Sequence, residues 1–374
     1  MVKEATKLKQ TNPVEEINID GFDYVEFYVG NALQACYYYH RGFGFDVVAY
    51  KGLETGSRDS VSYVLQQEKV KIVLTAAIKA DHEVAEHVKE HGDGVKSIGL
   101  RVRNVTKSYE TAIARGAKSI YAPRIVEDEH GKYESAAVAT YGDTIHTFIN
   151  RSEYKAFAPG FKVVTGKSGS SAGLVHIDHI VGNVELDALQ KWVDFYQQIF
   201  GFHIFQYFDA EDISTKYSAL VSKVMANKSG TVKMPLNEPY EAGLRKSQIQ
   251  EYLDYYNAAG VQHIAITTRD IIATVGELRR RGIEFLTVPQ TYYDTLTERV
   301  GQIDEDLNEL AKLGILVDRE SEGYLLQIFT KPVQDRPTLF FEIIQRKGAT
   351  GFGKGNFMAL FESIEREQEQ RGNL

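Results

Sequence analysis

Strand-like runs, in which apolar residues recur at every second position, alternate along the chain with longer stretches that have the periodicity of amphipathic helices. The order strand, helix, strands occurs twice in the first half and twice in the second, which predicts four βαβββ units. The second half carries an insertion after its second helix, with a helix predicted over Thr295–Leu313. Beyond Gly355 a last amphipathic helix places Phe357, Leu360, Phe361 and Ile364 on one face.

The two halves repeat one another in outline. E-F-Y-V-G-N from Glu26 matches D-H-I-V-G-N from Asp178, and a similar match joins the segments that begin at Val95 and Val261. A third match joins residues 143–151 to residues 338–346, and both segments end in Arg. Residues 166–173, G-K-S-G-S-S-A-G, have the composition of a flexible linker. We therefore expect an α+β protein of two tandem domains, residues 1–160 and 170–374, each built from two βαβββ units.

Composition excludes several classes of protein. The chain has 374 residues and a formal net charge of −8 without a dense Lys/Arg block, so a nucleic-acid partner is not expected. No apolar run reaches the roughly 18–20 residues that cross a bilayer, and Met1–Asn12 lacks the apolar core of a signal peptide. The single cysteine, Cys36, excludes intramolecular disulfides and thiolate metal clusters. We expect a cytoplasmic protein without a membrane partner, in which any metal site uses His and carboxylate ligands.

Residues that bind metal appear at three repeat positions of the second half and are missing from the first. Aligned on Val-Gly-Asn, His179 stands opposite Phe27; aligned on Val261 and Val95, His263 stands opposite Ser97; aligned on the closing Arg, Glu342 stands opposite Thr147. Two His and one carboxylate are the ligand set of non-haem Fe(II) oxygenases. The repeat comparison therefore predicts a metal site in the second domain and none in the first.

Two of these residues have competing interpretations. Residues three apart on a strand face opposite sides, so only one of His176 and His179 can point inwards. His179 is the expected ligand, and His176 and Asp178 are expected on the outer face. Glu342 lies in a strand that is apolar on both sides, and a buried Glu needs a positive partner. No Lys or Arg lies nearer to it in sequence than Arg336 and Arg346.

The surroundings of Glu342 favour an aromatic substrate with a polar head group. Phe340 shares a strand face with Glu342, and Gln327 shares one with Phe329 on the preceding strand. The glycines of residues 351–355 lack the spacing of a phosphate-binding loop and are expected to form a hinge for the last helix.

At this point the sequence resembles the 4-hydroxyphenylpyruvate dioxygenase family, with highly specific motifs throughout the second half. The motifs are D-H-I-V-G-N from Asp178, M-P-L-N-E-P from Met234, K-S-Q-I-Q-E-Y-L from Lys246, G-I-L-V-D-R from Gly314, L-L-Q-I-F-T-K-P from Leu325, D-R-P-T-L-F-F-E-I-I-Q-R from Asp335 and G-F-G-K-G-N-F-M-A-L-F-E-S-I-E from Gly351. The resemblance implies the vicinal-oxygen-chelate fold, with one open β-barrel per domain and iron in the second.

Carried over residue by residue, the resemblance also assigns roles. It implies that His179, His263 and Glu342 bind Fe(II), and that Phe329 and Phe357 sandwich the substrate ring, with Phe340 and Phe352 completing an aromatic wall. It further implies that polar side chains orient the phenol and the keto acid: Ser222 and Asn237 as substrate-binding residues, and Gln248, Gln262, Gln327 and Asn356 as catalytic ones.

The implied reaction converts 4-hydroxyphenylpyruvate and O₂ to homogentisate and CO₂, without a separate 2-oxoglutarate. The main alternative is 4-hydroxymandelate synthase, which uses the same fold, metal and substrate but hydroxylates the benzylic carbon. Pro235 and Asn237 favour the dioxygenase. An extradiol ring-cleaving dioxygenase would need a further base in the pocket, for which no candidate is evident, and a non-catalytic binding protein would be expected to have lost the ligands. A homo-oligomer, dimer or tetramer, is expected.

Overall fold

The computed structural model describes residues 14–166, 168–215, 219–240 and 245–373. The predicted features of Met1–Asn12 therefore lie outside the described residues, as does Lys167 of the predicted linker. The N-terminal half contains, in chain order, β1 (Ile19–Tyr28), α1 (Ala32–Tyr38), β2 (Asp46–Lys51), β3 (Ser60–Gln67), β4 (Val70–Ala77), α2 (Glu83–His91), β5 (Gly94–Val102), α3 (Val105–Ala114), β6 (Ser119–Asp128), β7 (Gly131–Ala139), β8 (Ile145–Tyr154) and β9 (Lys162–Val163).

The C-terminal half repeats this order with additional helices. Its elements are β10 (Leu174–Asn183), α4 (Leu189–Phe195), β11 (His203–Phe208), β12 (Ala219–Ala226), β13 (Lys233–Tyr240), α5 (Gln248–Tyr256), β14 (Gly260–Thr268), α6 (Ile271–Arg280), α7 (Gln290–Asp294), α8 (Leu296–Val300), α9 (Leu307–Leu313), β15 (Leu316–Glu320), β16 (Gly323–Phe329), β17 (Phe340–Lys347) and α10 (Lys354–Gln370). Among the described residues no helix is both long and apolar enough to cross a membrane.

Each half forms one curved sheet from two βαβββ units. The N-terminal sheet has nine strands in the order β6-β7-β8-β5-β1-β4-β3-β2-β9, and the C-terminal sheet has eight in the order β11-β12-β13-β10-β14-β17-β16-β15. The two units meet along an antiparallel pair, β1 with β5 and β10 with β14. On either side of that pair the strands run parallel, as in β1–β4 and β14–β17. The predicted arrangement of units is confirmed.

A continuous apolar core joins the two halves. At its centre the buried ring of Phe341, from β17, packs against Phe27, Tyr39 and Phe43 of the N-terminal half, with centroid distances of 6.4, 5.9 and 5.2 Å. Burying large aromatic side chains contributes roughly 1.5–3 kcal/mol each, so these rings stabilise the contact between the halves.

The inserted segment contradicts the single helix predicted over Thr295–Leu313. It folds as α8 and α9, preceded by α7. Gly301 ends α8 with φ of 65°, a conformation that favours glycine. The carboxylate of Asp306 then accepts hydrogen bonds from the N–H groups of Asn308 and Glu309, which starts α9. The helical periodicity of the segment is correct, but Gly301 ends one helix and Asp306 begins the next.

Strand pairing also corrects the repeat alignment around His179. The same row of paired residues can be followed across each sheet. In the C-terminal half His179 pairs with Ala265, and Ala265 pairs with Glu342. In the N-terminal half Tyr24 pairs with Gly99, and Gly99 pairs with Thr147. The counterpart of His179 is therefore Tyr24 and not Phe27. The alignment on Val-Gly-Asn was wrong by three residues, because the stretch from Tyr24 to Val29 is three residues longer than the stretch from His179 to Val181. Tyr24, Ser97 and Thr147 still do not form a His/carboxylate set.

Candidate metal centre

His179, His263 and Glu342 converge at the centre of the C-terminal sheet. They lie on the neighbouring strands β10, β14 and β17, and their side chains are buried, with exposures of 1, 6 and 1%. Nε2 of His179 lies 3.1 Å from Oε2 of Glu342, and Nε2 of His263 lies 3.4 Å from the same oxygen. The candidate ligand atoms all lie within 4.8 Å of one another. This is the set that the repeat comparison selected.

The electrostatics of the cluster fit a cation. Burial alone would raise the pKa of Glu342, but the charge of His179 and hydrogen bonds from both imidazoles lower it to about 2. Burial opposes a charge on His179 as well, yet Glu342 and Asp178 raise its pKa. A buried carboxylate beside two imidazole nitrogens is costly unless a positive charge accompanies it. A divalent metal ion bound by these three groups supplies that charge, and the donor set fits Fe(II) among other metals.

A contact at Nδ1 orients each of the two imidazoles. Nδ1 of His179 lies 2.8 Å from Oδ1 of Asp178, and Nδ1 of His263 lies 2.9 Å from Oε1 of Gln262. An acceptor on Nδ1 fixes the proton there and leaves Nε2 free to bind a metal. Arg346 in turn donates two hydrogen bonds to the Asp178 carboxylate, at 2.8 and 2.7 Å.

The position of Asp178 contradicts the expectation that it lies on the outer face. Ile177 pairs with Ile266 and His179 with Ala265, so Asp178 is the extra residue of a β-bulge. A bulge breaks the alternation of side chains, which allows adjacent residues to serve the same site. His176 does point away: its Nδ1 lies 2.9 Å from Oγ1 of Thr267.

Hydrogen bonds connect Glu342 to the last helix. Gln327 donates to Oε1 of Glu342 at 2.8 Å, and Asn356 of α10 donates to Oε1 of Gln327 at 2.8 Å. The Tyr292 hydroxyl lies 2.8 Å from Oδ1 of Asn356 and 2.8 Å from the main-chain oxygen of Val317, and its one proton is shared between these acceptors. Asn356 is fully buried. The helix therefore covers the site in this structure, and its first turn is linked to a candidate metal ligand.

The glycine-rich segment before α10 is held by carboxylates. The N–H groups of Gly351 and Gly353 donate to Glu320, and that of Gly355 donates to Asp318 at 2.8 Å. A Cβ at Gly351 would lie 2.2 Å from Oε1 of Glu320, so a larger residue there would displace the carboxylate that binds this segment. Since protein carboxylates take these N–H groups, the segment is not arranged to bind phosphate.

Aromatic rings surround the triad. Phe340 stacks on His263, and Phe352 packs edge-to-face with His179, each with 4.8 Å between ring centroids. Phe329 lies 6.1 Å from His263. Phe357 is further out and packs on Phe208 at 5.3 Å. The predicted aromatic wall is thus brought together, while the sandwich by Phe329 and Phe357 remains a prediction.

Several of the predicted polar residues carry unpaired atoms. Within the described part of the chain, Oγ of Ser222, Oδ1 of Asn237 and Oε1 of Gln248 are buried without a hydrogen-bond partner. Ser222 and Asn237 are paired across β12 and β13. An unsatisfied buried polar atom costs about 1–3 kcal/mol, so these three atoms are suited to a polar ligand. Gln248 and Gln262 also line a small cavity of about 30 Å³ beside Phe340.

Sequence reasoning missed a second cluster that lies between the halves. Nδ1 of His87 lies 2.7 Å from Oδ2 of Asp143, and Nδ1 of His91 lies 2.6 Å from the main-chain oxygen of Tyr256. His87, His91 and Asp143 are close enough to hold a metal ion. However, the ammonium group of Lys96 already lies 3.1 Å from Oδ2 of Asp143 and supplies the positive charge. The cluster is a charged contact between α2, the segment before β8 and the end of α5.

Comparisons with known proteins agree with this arrangement. The family model for the glyoxalase/bleomycin resistance protein/dioxygenase superfamily matches residues 176–328, and the model for the N-terminal part of hydroxyphenylpyruvate dioxygenase matches residues 11–160. The chain is 49% identical to the 4-hydroxyphenylpyruvate dioxygenase of Dictyostelium discoideum, over 95% of this chain and 100% of that protein. It is 48% identical to that of Caenorhabditis briggsae, over 94 and 93% of the two chains.

A solved structure confirms the fold. A triple mutant of 4-hydroxymandelate synthase from Streptomyces coelicolor superimposes with a TM-score of 0.85 and 31% identity, covering 94% of this chain and 99% of the other. The vicinal-oxygen-chelate fold in two tandem copies is therefore present, as predicted. With identities of 43–49% to curated relatives along nearly the whole chain, this protein belongs to the 4-hydroxyphenylpyruvate dioxygenase family.

Proposed function

We propose that this protein is an Fe(II)-dependent dioxygenase that converts 4-hydroxyphenylpyruvate and O₂ to homogentisate and CO₂, a step of tyrosine catabolism. The observation that carries the proposal is the buried convergence of His179, His263 and Glu342 inside an aromatic pocket of a chain from this family. A cytoplasmic location and assembly into a dimer or tetramer remain predictions.

The three ligands would hold one face of the metal and leave the opposite face to the substrate. When bound, Fe(II) would supply the activation of dioxygen and the coordination of the 2-oxo acid that oxidative decarboxylation and ring hydroxylation require. Gln327 keeps one oxygen of Glu342 hydrogen-bonded, which directs the other oxygen towards the two Nε2 atoms. Asp178 and Gln262 hold the imidazoles in the matching orientation.

The pocket residues would orient the substrate against this centre. The rings of Phe340 and Phe352 border the two imidazoles and give an aromatic ring a flat, apolar surface. The unpaired oxygens of Ser222, Asn237 and Gln248 would bind its polar groups. Closure by α10 excludes water, which protects a reactive intermediate from side reactions and strengthens the polar contacts inside.

The alternative is 4-hydroxymandelate synthase acting on the same substrate, and the structural match to that enzyme supports keeping it. Higher identity to curated dioxygenases favours homogentisate formation. The test is anaerobic reconstitution with Fe(II), addition of 4-hydroxyphenylpyruvate and O₂, and identification of the aromatic product by mass spectrometry and NMR. Homogentisate would support the proposal. 4-Hydroxymandelate would favour the alternative, and absence of turnover by the iron-loaded protein would contradict both.

A further inference from the structure

The N-terminal half repeats the surroundings of the metal centre without its ligands. By strand register, Asp23, Lys71 and Arg151 are the counterparts of Asp178, Lys233 and Arg346. Asp23 is 4% exposed and forms an ion pair with Arg151, as Asp178 does with Arg346. The same three charges therefore lie at the same end of both sheets.

An aromatic ring covers the arginine in both halves. The Arg151 guanidinium lies 4.2 Å from the centroid of the Phe157 ring and donates to the Phe157 main-chain oxygen at 2.6 Å. In the C-terminal half, Arg346 lies 5.9 Å from the Phe352 centroid and donates to the Gly351 main-chain oxygen at 2.6 Å. The similarity between the halves therefore includes the segment that follows the last strand, as well as the three charged residues.

The two halves differ in whether the lysine has a hydrogen-bond partner. Lys233 donates to the main-chain oxygen of Thr350 at 2.8 Å. Lys71, in contrast, has neither a hydrogen bond nor an ion pair with any of the described residues, although its side chain is half-buried. Arg101 adds a further cation at the position that Thr267 occupies in the other half, and it donates only long hydrogen bonds, of 3.5 and 3.2 Å, to the main-chain oxygens of Phe22 and Asp20. Burial, followed by the charges of Arg151 and Arg101, lowers the pKa of Lys71 against the opposing effect of Asp23.

These residues line a cleft of about 580 Å³, which is within the size range of small-molecule sites. The charged part of the lining has five cations, Lys71, Arg101, Arg103, Arg151 and Lys155, against two carboxylates, Asp20 and Asp23. Asp23 pairs with Arg151 and Asp20 with Arg103, so an excess of positive charge remains. The apolar part of the lining includes Phe157, whose ring lies against the Arg151 guanidinium, and the exposed side chain of Val163. The cleft is therefore a positive region on a chain of net charge −8.

We propose that this cleft of the N-terminal half binds a small organic carboxylate, with the carboxylate between Lys71 and Arg101 and an apolar body against Phe157 and Val163. Cations without a carboxylate partner and apolar side chains occur together in the lining, which matches both parts of such a molecule. The proposal concerns the half without metal ligands and does not depend on the reaction proposed above.

The test is isothermal titration of the metal-free full-length protein with benzoate and, separately, with inorganic phosphate. We expect saturable benzoate binding that is weakened roughly tenfold or more by Lys71→Met and by Arg101→Met, because each removes a charge-assisted contact. Lys69→Met is the matched control, since it removes the same charge from an exposed position two residues away that does not line the cleft. We expect it to leave binding unchanged.

Three results would overturn the proposal. They are no saturable binding of benzoate, equal effects of Lys69→Met and Arg101→Met, and binding of phosphate as tight as that of benzoate, which would deny any part to the apolar wall. Should Lys71→Met fail to fold, Arg101→Met decides, since the Arg101 side chain is exposed. Benzoate binding at the C-terminal site would give the second of these results, because neither Lys69→Met nor Arg101→Met would weaken it.

Discussion

Replacing Asp178 with Asn tests whether the bulged carboxylate positions His179 for metal binding. Asp178 contacts Nδ1 of His179 and accepts hydrogen bonds from Nε and Nη2 of Arg346. The Asp178 and Arg346 side chains are only 8 and 17% exposed. Removing one partner of a buried ion pair costs about 3–5 kcal/mol, because the other charge stays buried without compensation. Loss of the acceptor on a ligating His typically weakens metal binding by about 10–100-fold.

The N-terminal half supplies a matched control. Asp23→Asn breaks the corresponding buried pair with Arg151, which has no metal ligand beside it. We expect both variants to lower the free energy of unfolding in urea by a similar amount. Only Asp178→Asn should weaken Fe(II) binding, measured anaerobically by competition with a chromophoric chelator. Equal metal affinities for the two variants, or unchanged affinity in Asp178→Asn, would refute the positioning role.

The same pair makes stability sensitive to acid. Burial would raise the pKa of Asp178, but Arg346 and His179 lower it well below its usual range. The stabilising contribution is therefore complete above the unfolded carboxyl pKa of about 3.9 and is lost as the pH falls through the lower folded value. Asp178→Asn should remove this part of the pH dependence, which urea unfolding at a series of pH values would measure.

Three further predictions concern the triad, the last helix and the contact between the halves. Glu342→Gln keeps the shape but removes the ligand charge, so it should weaken iron binding and abolish turnover while circular dichroism stays unchanged; loss of the fold would instead make Glu342 a structural carboxylate. Tyr292→Phe removes the hydroxyl that contacts Oδ1 of Asn356 and the main-chain groups of Val317, at a cost of about 1–3 kcal/mol to the closed helix, and should raise KM by about 5- to 150-fold. Tyr293→Phe, whose hydroxyl donates to Ile315 instead, is its control, and equal KM values would contradict the reasoning. Burial lowers the pKa of His146 to about 3, so the protein should lose about 1.4 kcal/mol of stability per pH unit from pH 6.5 down towards 3, and a Gln substitution that leaves this slope unchanged would contradict it.

The parts of the fold that follow from periodicity and repetition were predicted well. Two copies of a two-unit sheet require only alternating strands, helices and a duplicated order, and those signals are local. The convergence of His179, His263 and Glu342 was also predictable, because three ligand types depart together from the repeat. Their ligation of iron, the roles of the pocket residues and the domain limits at 160 and 170 remain predictions.

The features that were missed depend on backbone irregularity and on contacts distant in sequence. A bulge at Asp178 reverses the side of the strand on which a side chain lies, and no pattern of period two contains it. The contacts from Asp318 and Glu320 to the glycine segment join residues more than thirty positions apart. The three-residue error opposite His179 arose because Val-Gly-Asn was a stronger motif than the Asp that precedes both Tyr24 and His179.

The correct register separates what the fold requires from what the metal requires. The bulged Asp and its Arg partner occur in both halves, as Asp23 with Arg151 and as Asp178 with Arg346. The residue after the Asp differs, being Tyr24 in one half and His179 in the other. Because the Asp–Arg pair is also present in the half without metal ligands, its first role is structural: the Arg neutralises the carboxylate that the bulge turns inwards. In the C-terminal half that same carboxylate also contacts an imidazole, so a structural element of the duplicated fold there becomes the support of the candidate metal centre.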